Sequence, residues 1–129
     1  MKIKSIVTDM APAAFGPFVQ GVEFGNLVFT SGAMPLDPVD GELITGDIRE
    51  QTKQTMNNLS AVLEAAGTSL EKVLLITVYM TDMNEFSEMN EVYASYFEDV
   101  CPARATVGVK SLAKNARVEI QAIAARDGR

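Results

Sequence analysis

The sequence predicts an α+β domain in which two amphipathic helices cover one face of a mixed sheet, in the order β-β-α-β-α-β-β. Three observations carry that reading. Two stretches repeat apolar residues at helical spacing, each beginning beside an Asp or Asn able to cap it. Short apolar or alternating runs, bounded by Gly, Pro and Asn, flank those helices on both sides. The 129 residues, 47% hydrophobic and 22% charged, suffice for one core without disulfide or metal, so residues 1–129 read as a single domain.

Taken in order, Ala11-Pro12 and Gly16-Pro17 break the early chain. Residues 19–24 and 27–31 are apolar-rich runs parted by Gly25-Asn26, a hairpin signal. Pro35, Pro38 and Gly41, with Asp37 and Asp40, make a surface loop. Asp47 with Glu50 three residues on reads as a capping box. Ile48, Thr52, Met56, Leu59, Val62, Leu63 and Ala66 then follow on one helical stripe, which Gly67 stops. Residues 73–80 are continuously apolar and β-branched and read as a buried strand. Asn84 is placed to cap a second helix whose stripe is Phe86, Met89, Tyr93, Tyr96 and Phe97, ended by Cys101-Pro102.

Two strands close the chain. In residues 103–109, Ala105, Val107 and Val109 share one face, and Arg104, Thr106 and Gly108 the other. In residues 117–125, Val118, Ile120, Ala122 and Ala124 oppose Glu119, Gln121, Ile123 and Ala125. Two helices shield one sheet face only. The other is expected to show Ile123 and Ala125 beside Arg104, Thr106, Glu119 and Gln121. A face half apolar and half charged suggests burial against another subunit.

Composition narrows the chemistry. A net charge of −6, with basic residues scattered along the chain, argues against nucleic-acid binding. With no histidine, His-dependent triads and His-based zinc sites are excluded within this chain, leaving carboxylates, tyrosines, lysines or bound water for acid–base work. The single Cys101 cannot form an internal disulfide, and it lacks a neighbour to activate it, so a buried or half-buried thiol is expected. No apolar run is long enough to span a membrane, and Met1-Lys2-Ile3-Lys4 leads into no secretory h-region, so a cytoplasmic location is expected. The glycines form no dinucleotide or P-loop pattern, and no EF-hand spacing occurs.

Arg104 and Glu119 form the sharpest candidate pair, read as sharing the helix-free face. A strand-interior arginine between alanines can grip a carboxylate with its planar fork, and a glutamate can accept a proton from water. The alternative is that the two pair with each other or face solvent. Ser31, in Thr30-Ser31-Gly32 at a strand end, reads either as a ligand contact or as a turn residue; without a histidine base it is no nucleophile.

Four separated segments resemble one family. The stretch Ala11-Pro12-Ala13-Ala14-Phe15-Gly16-Pro17-Phe18-Val19-Gln20 is similar to the APxAxGPYxQ segment of the Rid/YjgF family. Thr30-Ser31-Gly32 resembles its TSGQ strand end, Pro102-Ala103-Arg104-Ala105-Thr106 its PAR(S/T) strand, and Val118-Glu119-Ile120-Gln121-Ala122-Ile123-Ala124 its terminal strand. The resemblance spans essentially the whole chain. It implies a chorismate-mutase-like fold, a homotrimer with sheets facing inward, and three clefts between subunits. It further implies hydrolytic deamination of 2-imino acids to 2-keto acids, with no metal or cofactor. By position, Arg104 would bind the substrate carboxylate and Glu119 would activate water. Ser31, Gly32 and Phe18 would line the pocket, the strand near Thr106 would hold the substrate nitrogen, and Asn90 would give structural support.

The chain also departs from that pattern. Phe18 stands where the family usually has tyrosine, Ala33 follows Thr-Ser-Gly in place of glutamine, and Thr106 and Gln121 replace a common cysteine and glutamate. Phe18 keeps an aromatic wall but loses a hydroxyl. A non-catalytic module binding small carboxylates is the alternative function. A ribonuclease, as reported for some relatives, is disfavoured by charge and the lack of histidine.

Overall fold

The computed structural model describes residues 2–127; Met1, Gly128 and Arg129 lie outside them. The elements are β1 (Lys4–Ile6), β2 (Gly21–Phe24), β3 (Leu27–Thr30), α1 (Ile48–Ala65), β4 (Val73–Met80), α2 (Phe86–Ala94), β5 (Ala103–Gly108) and β6 (Val118–Ala125). One mixed sheet runs β1-β2-β3-β6-β4-β5. Only β4 and β5 pair in parallel, as the α2 crossover between them requires. The expected α+β arrangement holds with one addition. Residues 4–6, too short to signal a strand, extend the hairpin as an edge by pairing with β2.

The stripe expected on α1 is the heart of the core: Ile48, Thr52, Met56, Leu59, Val62, Leu63 and Ala66 are all buried. Asp47 caps the helix by accepting the Glu50 N–H at 3.1 Å, and Gly67 leaves it with φ 81°. Against it pack Val28, Ile76, Val78, Met80, Val118, Ile120, Ala122 and Ala124, joined by Met89 and Tyr93 from α2 and by Phe97 beyond its end. Losing a large side chain here would cost about 2–5 kcal/mol.

Two buried amides tie loops to this frame. Asn58 Nδ2 donates to the carbonyls of Met34 and Leu36, both at 2.8 Å. The Gln20 side chain accepts from Thr8 N–H at 2.6 Å and donates to the carbonyls of Thr8, Ala11 and Pro12 at 2.9, 3.2 and 2.8 Å. A polar side chain so buried has to find partners, and here they are the backbone of the N-terminal segment.

Several expectations change. Asn84 does not cap α2: a short 3₁₀ turn precedes the helix, and Asp82 caps that turn by accepting the Asn84 N–H at 2.9 Å. The helix ends at Ala94, well before Cys101-Pro102, and Cys101 is exposed in the link to β5. β4 is not buried throughout. A register shift between Val73 and Leu75 turns Leu74 outward, and Leu75 is exposed too.

The largest correction concerns β5. Ile76 lies opposite Arg104, Val78 opposite Thr106 and Met80 opposite Gly108. Those β4 residues are fully buried beneath the helices, so Arg104 and Thr106 share the helix-covered face. Glu119 lies opposite Tyr79 on the uncovered face. Alternation sorts a strand into two sets but does not say which set meets the helices. On this edge strand the Ala105 and Val107 set turns to the uncovered face. Phe24, Leu27, Phe29, Leu75 and Val107 make that face apolar and exposed. Among the described residues, no helix is long and apolar enough to cross a membrane.

Candidate active site

The end of β3 builds one half of the site. Phe29 lies opposite Ile123, and pairing resumes at an isolated bridge between Ala33 and Ile120. The β3 side of that interval holds one residue more than the β6 side, so the chain bulges at residues 30–32. Thr30 Oγ1 fills the gap by accepting the Ala122 N–H at 3.0 Å, while Ala33 and Ile120 exchange N–H···O bonds of 2.7 and 3.0 Å. The bulge brings Ser31 and Gly32 against Glu119. With Phe15, Phe18, Met34 and Ala113 they line an open pocket of about 290 Å³.

Glu119 is half-buried, and loss of water around its carboxyl raises its pKa above the ordinary carboxylate value. Ser31 Oγ donates to the Val19 carbonyl at 2.5 Å, and Ser31 N–H donates to the Gln20 carbonyl at 2.9 Å. The hydroxyl hydrogen is thus committed, which leaves the oxygen able only to accept. Phe15 and Phe18 meet edge to face with centroids 5.4 Å apart and form an apolar wall. Lys114 Nζ sits 4.7 Å from the Phe15 centroid and donates to the Gly41 carbonyl at 3.1 Å. Its backbone is left-handed at φ 58°, which a lysine adopts only when its surroundings hold it there.

Arg104 occupies a second locus. Its Nη1 donates to Asn90 Oδ1 at 2.7 Å, and its guanidinium lies 4.7 Å from the Tyr93 centroid and 5.5 Å from that of Phe86. Burial raises the Tyr93 pKa, and the charge of Arg104 opposes that rise. Thr106 Oγ1 is buried without a hydrogen-bond partner. Arg104 itself remains exposed, held from one side by α2 and open to a carboxylate on the other.

Of the residues expected at the site, Phe18, Ser31, Gly32 and Glu119 come together in one pocket, whereas Arg104 and Thr106 lie on the other face of the sheet. Asn90 acts on Arg104 directly. The sequence reading missed Phe15, Met34 and Ala113 as pocket walls. Phe15 carried a usable signal, since two aromatics straddle Gly16-Pro17. Met34 and Ala113 carried none, because long-range loop packing places them.

The family described as Endoribonuclease L-PSP matches residues 8–126. A RutC family protein of Pyrococcus horikoshii is 48% identical over 122 residues, which cover 95% of this chain and 97% of the relative. The 2-iminobutanoate/2-iminopropanoate deaminase of Escherichia coli is 41% identical over 126 residues, covering 95% of this chain and 98% of that enzyme. The crystal structure of Escherichia coli TdcF with bound serine matches with a TM-score of 0.92 and 42% identity, covering 96% of this chain and 99% of that one.

Proposed function

The chain belongs to the Endoribonuclease L-PSP family, also called Rid/YjgF, and from that premise we propose that it hydrolyses reactive 2-imino acids, of the 2-iminobutanoate/2-iminopropanoate type, to 2-keto acids and ammonia. The observation that carries the reading is Glu119, a carboxylate half withdrawn from water beside the Ser31–Gly32 strand end in a pocket with an apolar wall. The related deaminase and the serine held by TdcF support a substrate with an α-carboxylate.

In this reading the protein acts as a cytoplasmic homotrimer, and each cleft combines Glu119, Ser31, Gly32 and Phe18 of one protomer with Arg104 of the partner subunit. The exposed apolar face of Phe24, Leu27, Phe29, Leu75 and Val107 supports such an assembly. Arg104 takes the carboxylate in a fork, and the backbone near Thr106 helps hold the nitrogen. The imine is already electrophilic, so orientation supplies much of the gain. Glu119 accepts a proton from water as its oxygen bonds to the C=N carbon. The nitrogen is protonated, the C–N bond of the carbinolamine breaks, and ammonia leaves the keto acid. No metal or cofactor enters this scheme.

The test is the decay of a 2-imino acid generated in solution by an added amino-acid dehydratase. The wild type should accelerate it, and Arg104→Ala or Glu119→Gln should abolish the acceleration. An unchanged decay in Arg104→Ala would sink the proposal. Phe18, which lacks a pocket hydroxyl, favours a second reading as a non-catalytic binder of small carboxylates. A wild type that binds 2-keto acids yet never accelerates decay would establish it.

A further inference from the structure

A β-carbon built on Gly32 would lie 2.6 Å from Glu119 Cδ and 2.8 Å from Glu119 Cγ, with Oε2 nearer still. The glutamate side chain therefore occupies the volume that any larger residue 32 would need. Conformation does not demand glycine here. Among the described residues the glycines with positive φ are Gly25, Gly41, Gly46 and Gly67, and Gly32 is not among them. Nor does backbone packing demand it, unlike Gly21, whose added β-carbon would approach the Phe29 carbonyl oxygen at 3.1 Å. What the site uses at position 32 is the missing side chain.

We propose that Gly32 is the positioning residue for Glu119: the slot left by its absent β-carbon holds the carboxylate against the strand-end bulge, beside Ser31. This moves Gly32 from the substrate contact expected of it to a residue acting through the acid. Its kinetic consequence rests on the hydrolase reading above; its geometry does not. A slot also accounts for the half-buried state of Glu119, since a carboxylate lying along backbone has fewer directions open to water.

Gly32→Ala is the probe. The backbone accepts alanine, and Glu119 is flexible enough to swing away, so thermal stability should stay within a few degrees of wild type. Carboxyl carbon NMR of the unliganded protein, with the Glu119 signal identified by its loss in Glu119→Gln, should show Glu119 titrating nearer the ordinary carboxylate range. In the imino-acid assay kcat should fall by about 10-fold or more, with KM changed by less than about 3-fold. A Glu119 titration that Gly32→Ala leaves unmoved would overturn the proposal, whatever the kinetics do. If no imino acid is hydrolysed by any form but the titration moves, the positioning role stands and the deaminase reading fails. Should Gly32→Ala destabilise the fold, Gly32→Ala/Glu119→Ala decides: alanine at 119 has neither the Cγ nor the carboxyl that the new β-carbon would meet, so stability should return. Failure to return would count against the slot.

Discussion

Arg104 and Glu119 point from opposite faces of one sheet, with β4 running between their strands. At about 4.8 Å per strand, one protomer cannot fold its guanidinium round to the pocket that its own carboxylate lines. A site using both must draw them from different copies of the chain, and this relationship sets the first expectation.

Arg104→Ala and Glu119→Gln, each inactive alone, should recover activity when unfolded together and refolded as mixed assemblies. Random assembly leaves about a quarter of the clefts with both groups intact. The measurement is imino-acid decay against each variant refolded separately. Absence of recovery would mean that Arg104 and Glu119 do not share a site.

Asn90→Ala should loosen Arg104 while leaving its charge. The lost bond is charge-assisted but exposed, so a rise in KM of roughly 3- to 10-fold is expected, with kcat less affected. Tyr93→Phe keeps the ring beneath the guanidinium, so it should change KM less than Asn90→Ala does. Steady-state kinetics check both.

The raised pKa of Glu119 ties stability to pH. A carboxyl that binds its proton more tightly when folded favours the folded state at low pH, and that advantage is lost as pH rises from the ordinary carboxylate value through the raised one. Glu119→Gln keeps the shape and removes the titration. Its melting temperature relative to wild type should therefore be higher at pH 7.5 than at pH 4. In activity, the acid limb of the wild-type kcat/KM profile should sit above the range of an ordinary glutamate, because the base of the free enzyme must be ionised to accept a proton.

Gln20→Leu keeps the bulk and deletes the contacts that hold residues 8–12. Leaving those backbone groups unpaired should cost roughly 2–3 kcal/mol, read as a lower midpoint of chemical denaturation. Phe15 and Phe18 follow that segment, so KM should also rise.

What the sequence made legible divides along physical lines. The α1 stripe and the β6 alternation were readable because each meets one environment along its whole length: helix and sheet for α1, and a central strand under α1 for β6. The phase of β5 was not, because an edge strand with one short helix over it is largely exposed on both faces, so its alternation does not mark which one meets the core. Ser31, Gly32, Phe18 and Glu119 were found as residues, but their meeting depends on a one-residue bulge that no local pattern announces. Cys101 was expected buried or half-buried and is exposed, since α2 stops earlier than its aromatic stripe suggests.

The bond from the Ser31 hydroxyl to the Val19 carbonyl has a bearing on turnover. In an imine-hydrolysing site, an oxygen with only lone pairs to present welcomes an iminium hydrogen and offers nothing to a ketone. If the protein hydrolyses imines as proposed, the substrate would be told apart from what it becomes at the atom that changes, and the finished keto acid would lose a partner as it forms. Such a centre should show weak end-product inhibition, which Ser31→Ala would bring closer to substrate affinity.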